Sequence, residues 1–498
     1  MKKQSLWLET AQMPELPPLS GTIEVDVVVV GAGITGITTA WLLKKSGCRV
    51  AVIDQYGVGG GETGHTTAHL TYVTDRRLSE LTDSLGAKPA QAFWEAGLEG
   101  MRQIDENVAE LGLDCGLRQV PGYLFAAVGK DEEKSSLERD ARLARDYGFE
   151  ADLLAQDPLF GRPAIRFPNQ LKFHPLQYLA GLAKQIPGNG SQIFGKTRSG
   201  EVNGDRHELH TENGVISYGA LVAATHIPIQ GERGTFSAAL FQTKLAAYST
   251  YAIEAATDCI PESLFWDTND PYLYLRFDRR EKGCSVIIGG EDHKTGQDEE
   301  TEARYQRLEK SLKSLLPSAR PSRRWSGQVW ETIDGLPYIG EVAERQFVAT
   351  GFSGNGMTLG TFSAMLIRDL IGGRKNPWTD LFSPDRKALS GTWEYVRENV
   401  DFPVRFLADR LRPASALEDL SRCSGAIVRV DGKKRAVYLD EHGKRTVLSP
   451  VCPHLGCIVE WNAAEKTWDC PCHGSRFMPT GDLIAGPAES GLEKADQA

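Results

Sequence analysis

Two short runs near the C-terminal end, Cys452-Pro-His454-Leu-Gly-Cys457 and Cys470-Pro-Cys472-His473-Gly-Ser475, each bring a thiol and an imidazole into one tight turn, with 15 residues between His454 and Cys470. Cys452, His454, Cys470 and His473 make a set of two thiolates and two imidazoles. Such a set suits a 2Fe-2S centre in which two cysteines hold one iron and two histidines the other, an arrangement that raises the reduction potential. It also satisfies tetrahedral zinc. Two details weigh against zinc: Cys-x-His is closer spacing than zinc fingers use, and each run carries a further cysteine. A cluster of this kind passes one electron at a time. The residues before it are expected to make or consume electrons.

The two runs resemble the Rieske proteins of cytochrome bc complexes over about residues 420–492, including Gly486-Pro487 where that family has a proline loop shielding its cluster. The resemblance implies a 2Fe-2S cluster on Cys452, His454, Cys470 and His473, and a disulfide between Cys457 and Cys472. That bridge would be unusual in a reducing compartment unless buried beside the cluster. Ser475 stands where high-potential members place a serine donor, whereas Phe477 stands where they have tyrosine. Hydrogen bonds to the sulfurs tune the potential. The expected value therefore falls below the respiratory range and above that of dioxygenase-type centres.

At the other end, Glu24–Val30 reads as a strand buried on both faces, followed at once by Gly31-Ala-Gly33-Ile-Thr-Gly36. Ile37, Ala40 and Trp41 open a helix that ends at Gly47, and a second strand, Arg49–Asp54, finishes in an acid. Strand, glycines, helix, strand and acid at this spacing form the dinucleotide fingerprint. The glycines let backbone approach a pyrophosphate at a helix N-terminus, and Asp54 is expected on the adenosine ribose.

The next segments resemble the flavoproteins related to D-amino-acid and glycine oxidases. Gly59-Gly-Gly-Glu-Thr63-Gly-His65-Thr66-Thr67-Ala-His-Leu is similar to that family's second flavin-contact loop. Ala220–His226 is similar to its closing strand, Arg324–Gly340 to its Trp…Asp-Gly-x-Pro-x-Ile-Gly segment, and Phe347–Gly360, with Gly351, Gly354 and Gly356, to its final glycine loop. The matches cover residues 22–372 in family order and imply FAD. In dimethylglycine-dehydrogenase-like relatives the histidine matching His65 bonds covalently to the flavin. The other reading is a histidine that only hydrogen-bonds nearby, and both stand open.

The implied fold is an α/β FAD-binding Rossmann-like domain with an antiparallel-sheet substrate domain, as in D-amino-acid oxidase, followed by an all-β Rieske domain. The expected boundaries put the oxidoreductase at 1–374, with nucleotide-binding segments at about 22–80, 175–235 and 325–374. The substrate domain takes about 81–174 and 236–324. A connector spans 375–418 and the Rieske domain 419–498. The connector holds Trp378, Phe382, Trp393, Tyr395, Phe402 and Phe406, too apolar for a solvated tether, so a packed helical piece broken at Pro403 and Pro413 is expected. Within the second substrate segment, Tyr272, Tyr274 and Arg276 alternate and share a strand face. Tyr305, Leu308, Leu312 and Leu315 mark the buried face of a helix.

No acid–base dyad or nucleophile motif stands out, which fits hydride transfer from a neutral amine. Amino-acid oxidases of this fold clamp the substrate carboxylate with an arginine, and the aligned position here, five residues before Asp334, is Val329. Arg276 is a substitute from the neighbouring strand, with Tyr274 beside it. The leading expectation is an FAD-dependent dehydrogenase of amines or N-substituted amino acids. It would pass single electrons through the cluster to an external protein or quinone, with flow inward from a donor also open. An oxygen-using amine oxidase with a structural or regulatory cluster module is an alternative. A non-catalytic redox sensor or electron carrier is another.

The 498 residues allow two or three cores, and 41% hydrophobic with 24% charged residues is ordinary globular composition. A net charge of −10 argues against nucleic acid or an anionic membrane as partner. No apolar run reaches the length of a membrane span, and Met1–Trp7 lacks an export signal's apolar core, so a cytoplasmic protein is expected. The cysteines outside the cluster motif (Cys48, Cys115, Cys259, Cys284 and Cys423) are expected to be buried apolar residues.

Overall fold

Val27 to Val30 are apolar on both sides of the strand, and the strand Gly21–Val30 accordingly lies in the middle of a sheet. The computed structural model describes residues 1–130, 133–227, 244–281, 283–386, 420–430 and 432–495. Gly21–Val30 pairs in parallel with Val50–Ile53 on one side and Gly214–Ala223 on the other. Gln192–Phe194 and Gln346–Thr350 extend the sheet in parallel, and Tyr338–Ala343 closes it antiparallel. The helix Ile34–Lys45 follows the glycine turn. The helix Gly356–Ile371 packs across it, so close that a Cβ on Gly360 would stand 2.6 Å from Thr35 Oγ1.

A second sheet of nine strands is mainly antiparallel. Its order runs Arg320–Thr332, Leu245–Thr257, Gly283–Lys294, Tyr274–Arg280, Leu264–Asp267, Arg118–Phe125, Ala164–Lys172 and His69–Leu70, with Asp152–Leu154 beside Ala164–Lys172. Two of these, His69–Leu70 and most of Arg320–Thr332, fall in segments that the sequence grouped with nucleotide binding. They run from the flavin-contact loops straight into this sheet. The helix Thr301–Leu315 covers one face and buries Tyr305, Leu308 and Leu312, with Leu315 half-buried at its end.

The C-terminal region forms two small antiparallel sheets, Ser424–Val430/Lys433–Leu439/Arg445–Leu448 and Glu460–Asn462/Thr467–Asp469/Arg476–Phe477/Leu483–Ala485. They are the all-β region expected at this end of the chain. Trp468 and Phe477, both fully buried, fill the core beneath the cluster loops. Trp378 and Phe382 pack against Phe362 of the helix Gly356–Ile371, with ring centroids 5.4 and 5.5 Å away. The rest of the connector, with Trp393, Tyr395, Phe402, Pro403, Phe406 and Pro413, lies outside the described residues.

The cysteine expectation needs correction. Cys259 and Cys284 form a disulfide with Cα atoms 5.1 Å apart. Strand pairing sets Thr257 opposite Cys284, which carries the next turn of chain, and Cys259 with it, onto the neighbouring strand. Cys115 is buried, whereas Cys48 and Cys423 are only half-buried. Among the described residues no helix is long and apolar enough to cross a membrane.

Candidate cofactor sites and active-site cavity

The C-terminal ends of the parallel strands open into a cavity of about 1740 Å³. That exceeds the roughly 300–1,000 Å³ of ordinary small-molecule pockets, leaving room for a dinucleotide and a substrate together. Its first wall is the glycine turn. Gly31 has φ +108°, and a Cβ there would meet Ala224 O at 2.4 Å; a Cβ on Gly36 would meet Gly31 O at 1.9 Å. Neither position tolerates a side chain, so the helix N-terminus at Ile34 stays close to the strand and open to an anion. Asp54 ends its strand beside this turn, and its carboxylate accepts from the N–H groups of Ala32, Tyr56 and Gly57 at 2.7–2.8 Å.

Thr63, His65, Thr66 and Thr67 form a second wall. Thr63 Oγ1 accepts from Ile34 N at 3.0 Å and so joins this loop to the glycine turn. The loop is held from behind by Trp7 Nε1 on Thr66 O (2.6 Å) and Trp325 Nε1 on His65 O (2.8 Å). Gly354 and Gly356 supply a third wall, where the helix Gly356–Ile371 points its N-terminus inward. Gly351 has φ +78° and turns the chain into that loop, without lining the cavity itself.

Over these walls sits a polar group of which the strand alternation offered Tyr272 and Tyr274 but not Asp75 or Asp292. Tyr272 Oη donates to Asp75 Oδ1 at 2.7 Å, Gly354 N donates to Asp75 Oδ2 at 2.7 Å, and Tyr274 Oη lies 2.8 Å from Thr250 Oγ1. Asp292 lines the same space, and burial pushes its carboxyl up to about 7. Burial also raises Asp75, against the bonds from Tyr272 and Gly354. Val329 faces the cavity. Arg276 does not line it. Its Nε and Nη2 donate to Asp278 at 3.1–3.2 Å, Nη1 donates to Ala68 O at 2.7 Å, and its Cζ lies over the Trp7 ring, 4.9 Å from the centroid. Four arginines do reach the wall, and each has a partner: Arg77 with Asp140, Arg198 with Glu489 O, Arg476 with Asp469, and Arg76 with Asp334 O and Ser84 Oγ at 3.3 and 3.4 Å.

The cluster pocket is built differently. Cys452 and Cys470 are buried, their thiols close enough to be linked by a hydrogen bond. The His454 and His473 rings meet edge-on with centroids 4.9 Å apart. Burial pulls the imidazoles down to about 4 and about 3, so both are neutral and able to ligate. Both ring nitrogens of His454 are shielded from solvent with no hydrogen-bond partner among the described residues. Buried nitrogens without a partner, in the same two loops as two buried thiols, fit the ligand set of an iron–sulfur cluster. Cys457 and Cys472 are joined by a disulfide across the two loops, within 4.8 Å of the Cys470 sulfur. Ser475 is fully buried, its hydroxyl beside the Cys452 sulfur and accepting from Ala488 N at 3.1 Å.

Residues 26–370 match the family profile of FAD dependent oxidoreductases, and residues 413–496 match that of the Rieske 2Fe-2S domain. The chain belongs to the FAD dependent oxidoreductase family and carries a Rieske domain. Its cofactors are FAD and a 2Fe-2S cluster, and the residues of both sites fit them. It is 33% identical over 502 residues to the Bacillus subtilis protein YhfW, named as a Rieske 2Fe-2S iron-sulfur protein, covering 99% of this chain and 97% of that one. It is 25% identical to a gamma-glutamylputrescine oxidoreductase of Escherichia coli, over 71% of this chain and 85% of that one. The fold matches a glycine oxidase from Geobacillus kaustophilus with a TM-score of 0.59 at 22% identity, covering 73% of this chain and 99% of that one.

Proposed function

We propose that this FAD-dependent oxidoreductase is a dehydrogenase of amines or N-substituted amines that delivers electrons one at a time through its Rieske cluster to an external protein or quinone. The observation that carries this reading is the shared wall: Arg476, Ile484 and Glu489 of the Rieske domain line the same cavity as the flavin-binding turns. Bound FAD would accept a hydride from the carbon next to nitrogen, and the cluster would carry single electrons.

The protein's own residues supply position and field. Asp75 and Asp292 favour a cation, and Tyr272 and Tyr274 offer ring faces and hydroxyls around it. With a carboxyl near 7, Asp292 is able to take the proton that an ammonium must lose before its carbon gives up a hydride. Val329 in the clamp position and the engagement of Arg276 leave a substrate carboxylate without a guanidinium from either. The name of the gamma-glutamylputrescine oxidoreductase relative supports an amine donor as well.

An anaerobic titration with a panel of amines and N-methyl amino acids, following flavin and cluster absorbance together, tests the reading. Both chromophores should be reduced by the same compounds. Bleaching of the flavin while the cluster stays oxidised would reject it, and peroxide formed in step with substrate loss would favour an oxygen-using oxidase.

A further inference from the structure

The Rieske domain meets the oxidoreductase through its ligand loop, and one side chain ties the two sites together. Gln328, 1% exposed, lies in the strand Arg320–Thr332. Its backbone N–H donates to Glu62 Oε2 in the flavin-contact loop at 2.8 Å. Its side-chain Nε2 donates to Gly474 O at 2.9 Å and to Thr295 Oγ1 at 3.2 Å. Gly474 is the residue after His473. It has φ +67°, and a Cβ there would stand 2.3 Å from Ala247 Cβ, so only glycine lets the loop come this near.

Contacts on either side give the interface the character of an interior. Gln297 Nε2 donates to Pro471 O at 3.0 Å. Ala464 is 2% exposed and belongs to the apolar core of the nine-stranded sheet, with Tyr251 and Tyr305. Tyr305 Oη donates to Glu465 Oε1 at 2.9 Å, and Ala464 N donates to Thr301 Oγ1 at 3.2 Å. A carrier domain that swings between partners does not bury its backbone in another domain's core.

We infer that the Rieske domain is a fixed fixture, with Gln328 the positioning residue that holds the His473 loop against the flavin cavity. Electrons then pass between the two cofactors at constant spacing, without domain movement. The inference rests on the proposed flavin-to-cluster route. Each event moves one electron from reduced flavin to the oxidised cluster, reducing one ferric iron to ferrous. An external one-electron oxidant, ferricyanide in the test, removes that electron before the second is transferred, and the flavin protons leave to solvent.

The experiment uses the anaerobic holoenzyme, with flavin reduced by a light flash in the presence of deazaflavin and EDTA, so no substrate need be known. Wild-type cluster reduction should be unaffected by added glycerol. In Gln328→Leu it should slow roughly tenfold, the scale of leaving one buried carbonyl unsatisfied, at unchanged iron content and cluster potential. Hydrogen exchange across residues 470–476 should rise in the same variant. Transfer slowed by glycerol in the wild type, or unchanged in Gln328→Leu, overturns the inference alone. If the variant does not fold, the glycerol measurement on the wild type still decides. Absence of any wild-type transfer removes the functional reading along with it.

Discussion

The flavin cavity and the cluster pocket solve opposite problems. The pocket is small and local: the four proposed ligands and a disulfide lie within residues 452–473, resting on Trp468 and Phe477, with imidazoles kept neutral by burial. The cavity is large, and its walls come from distant stretches of chain, including Arg476 and Glu489 of the other domain. A site made from one hairpin-sized unit should survive damage elsewhere. A site assembled from remote strands should feel every change in docking.

The sharpest way to break this contrast is to delete one proposed cluster ligand. Cys470→Ser should reduce iron from about two atoms per chain to near none while the yellow flavin stays bound. Loss of both cofactors, measured by metal analysis and visible absorbance, would show that the pocket is not local. The converse variant, Gly36→Val, drives a side chain into Gly31 O. It should lose FAD and lower Tm by several degrees, and the cluster's electron paramagnetic resonance signal should persist.

Asp292 sharpens the cavity side. Its carboxyl sits near 7 when folded against an ordinary value of 3.8, so between those values the folded chain holds a proton that the unfolded chain has released. Stability from this group is therefore full at low pH and is lost as pH rises through that window. Asp292→Asn should raise Tm relative to wild type at about pH 8 and change it little near pH 4. In the wild type, affinity for a cationic amine should improve as pH rises through about 7, and the variant should be flat. The smallest effect belongs to Ser475. Removing its hydroxyl with Ser475→Ala takes about 1 kcal/mol of hydrogen bonding from the reduced cluster, lowering the potential by roughly 40 mV in a redox titration. A larger fall would mean that the packing of Ala488 over the loop has also changed.

Much of the architecture was readable because it is written locally. Gly31, Gly33, Gly36 and Asp54 lie within one strand–helix–strand unit, and the cluster motifs lie within two turns. Asp75 and Asp292 were not readable, because neither belongs to a periodic pattern. Asp292 reaches the cavity through strand register, with Tyr274 opposite Gly289, and Asp75 reaches it from a loop held by Tyr272 and Gly354. Gln328 was hidden for the same reason, since its importance lies in what docks on it. Arg276 teaches a different lesson. Its partner Asp278 stands two residues along the same strand face, so an ion pair was visible in the alternation that suggested a substrate clamp. The Cys259–Cys284 bridge needed the pairing of two strands whose registers no composition reveals.

Tyr56 Oη donates to Ile484 O at 3.1 Å, and Arg198 Nη2 donates to Glu489 O at 2.5 Å, so residues 483–489 close over the nucleotide end of the cavity. This gives maturation a preferred order. A vessel synthesised before its lid is most easily filled before the lid arrives, so FAD should enter the nascent oxidoreductase first and the iron–sulfur module should then seal it in.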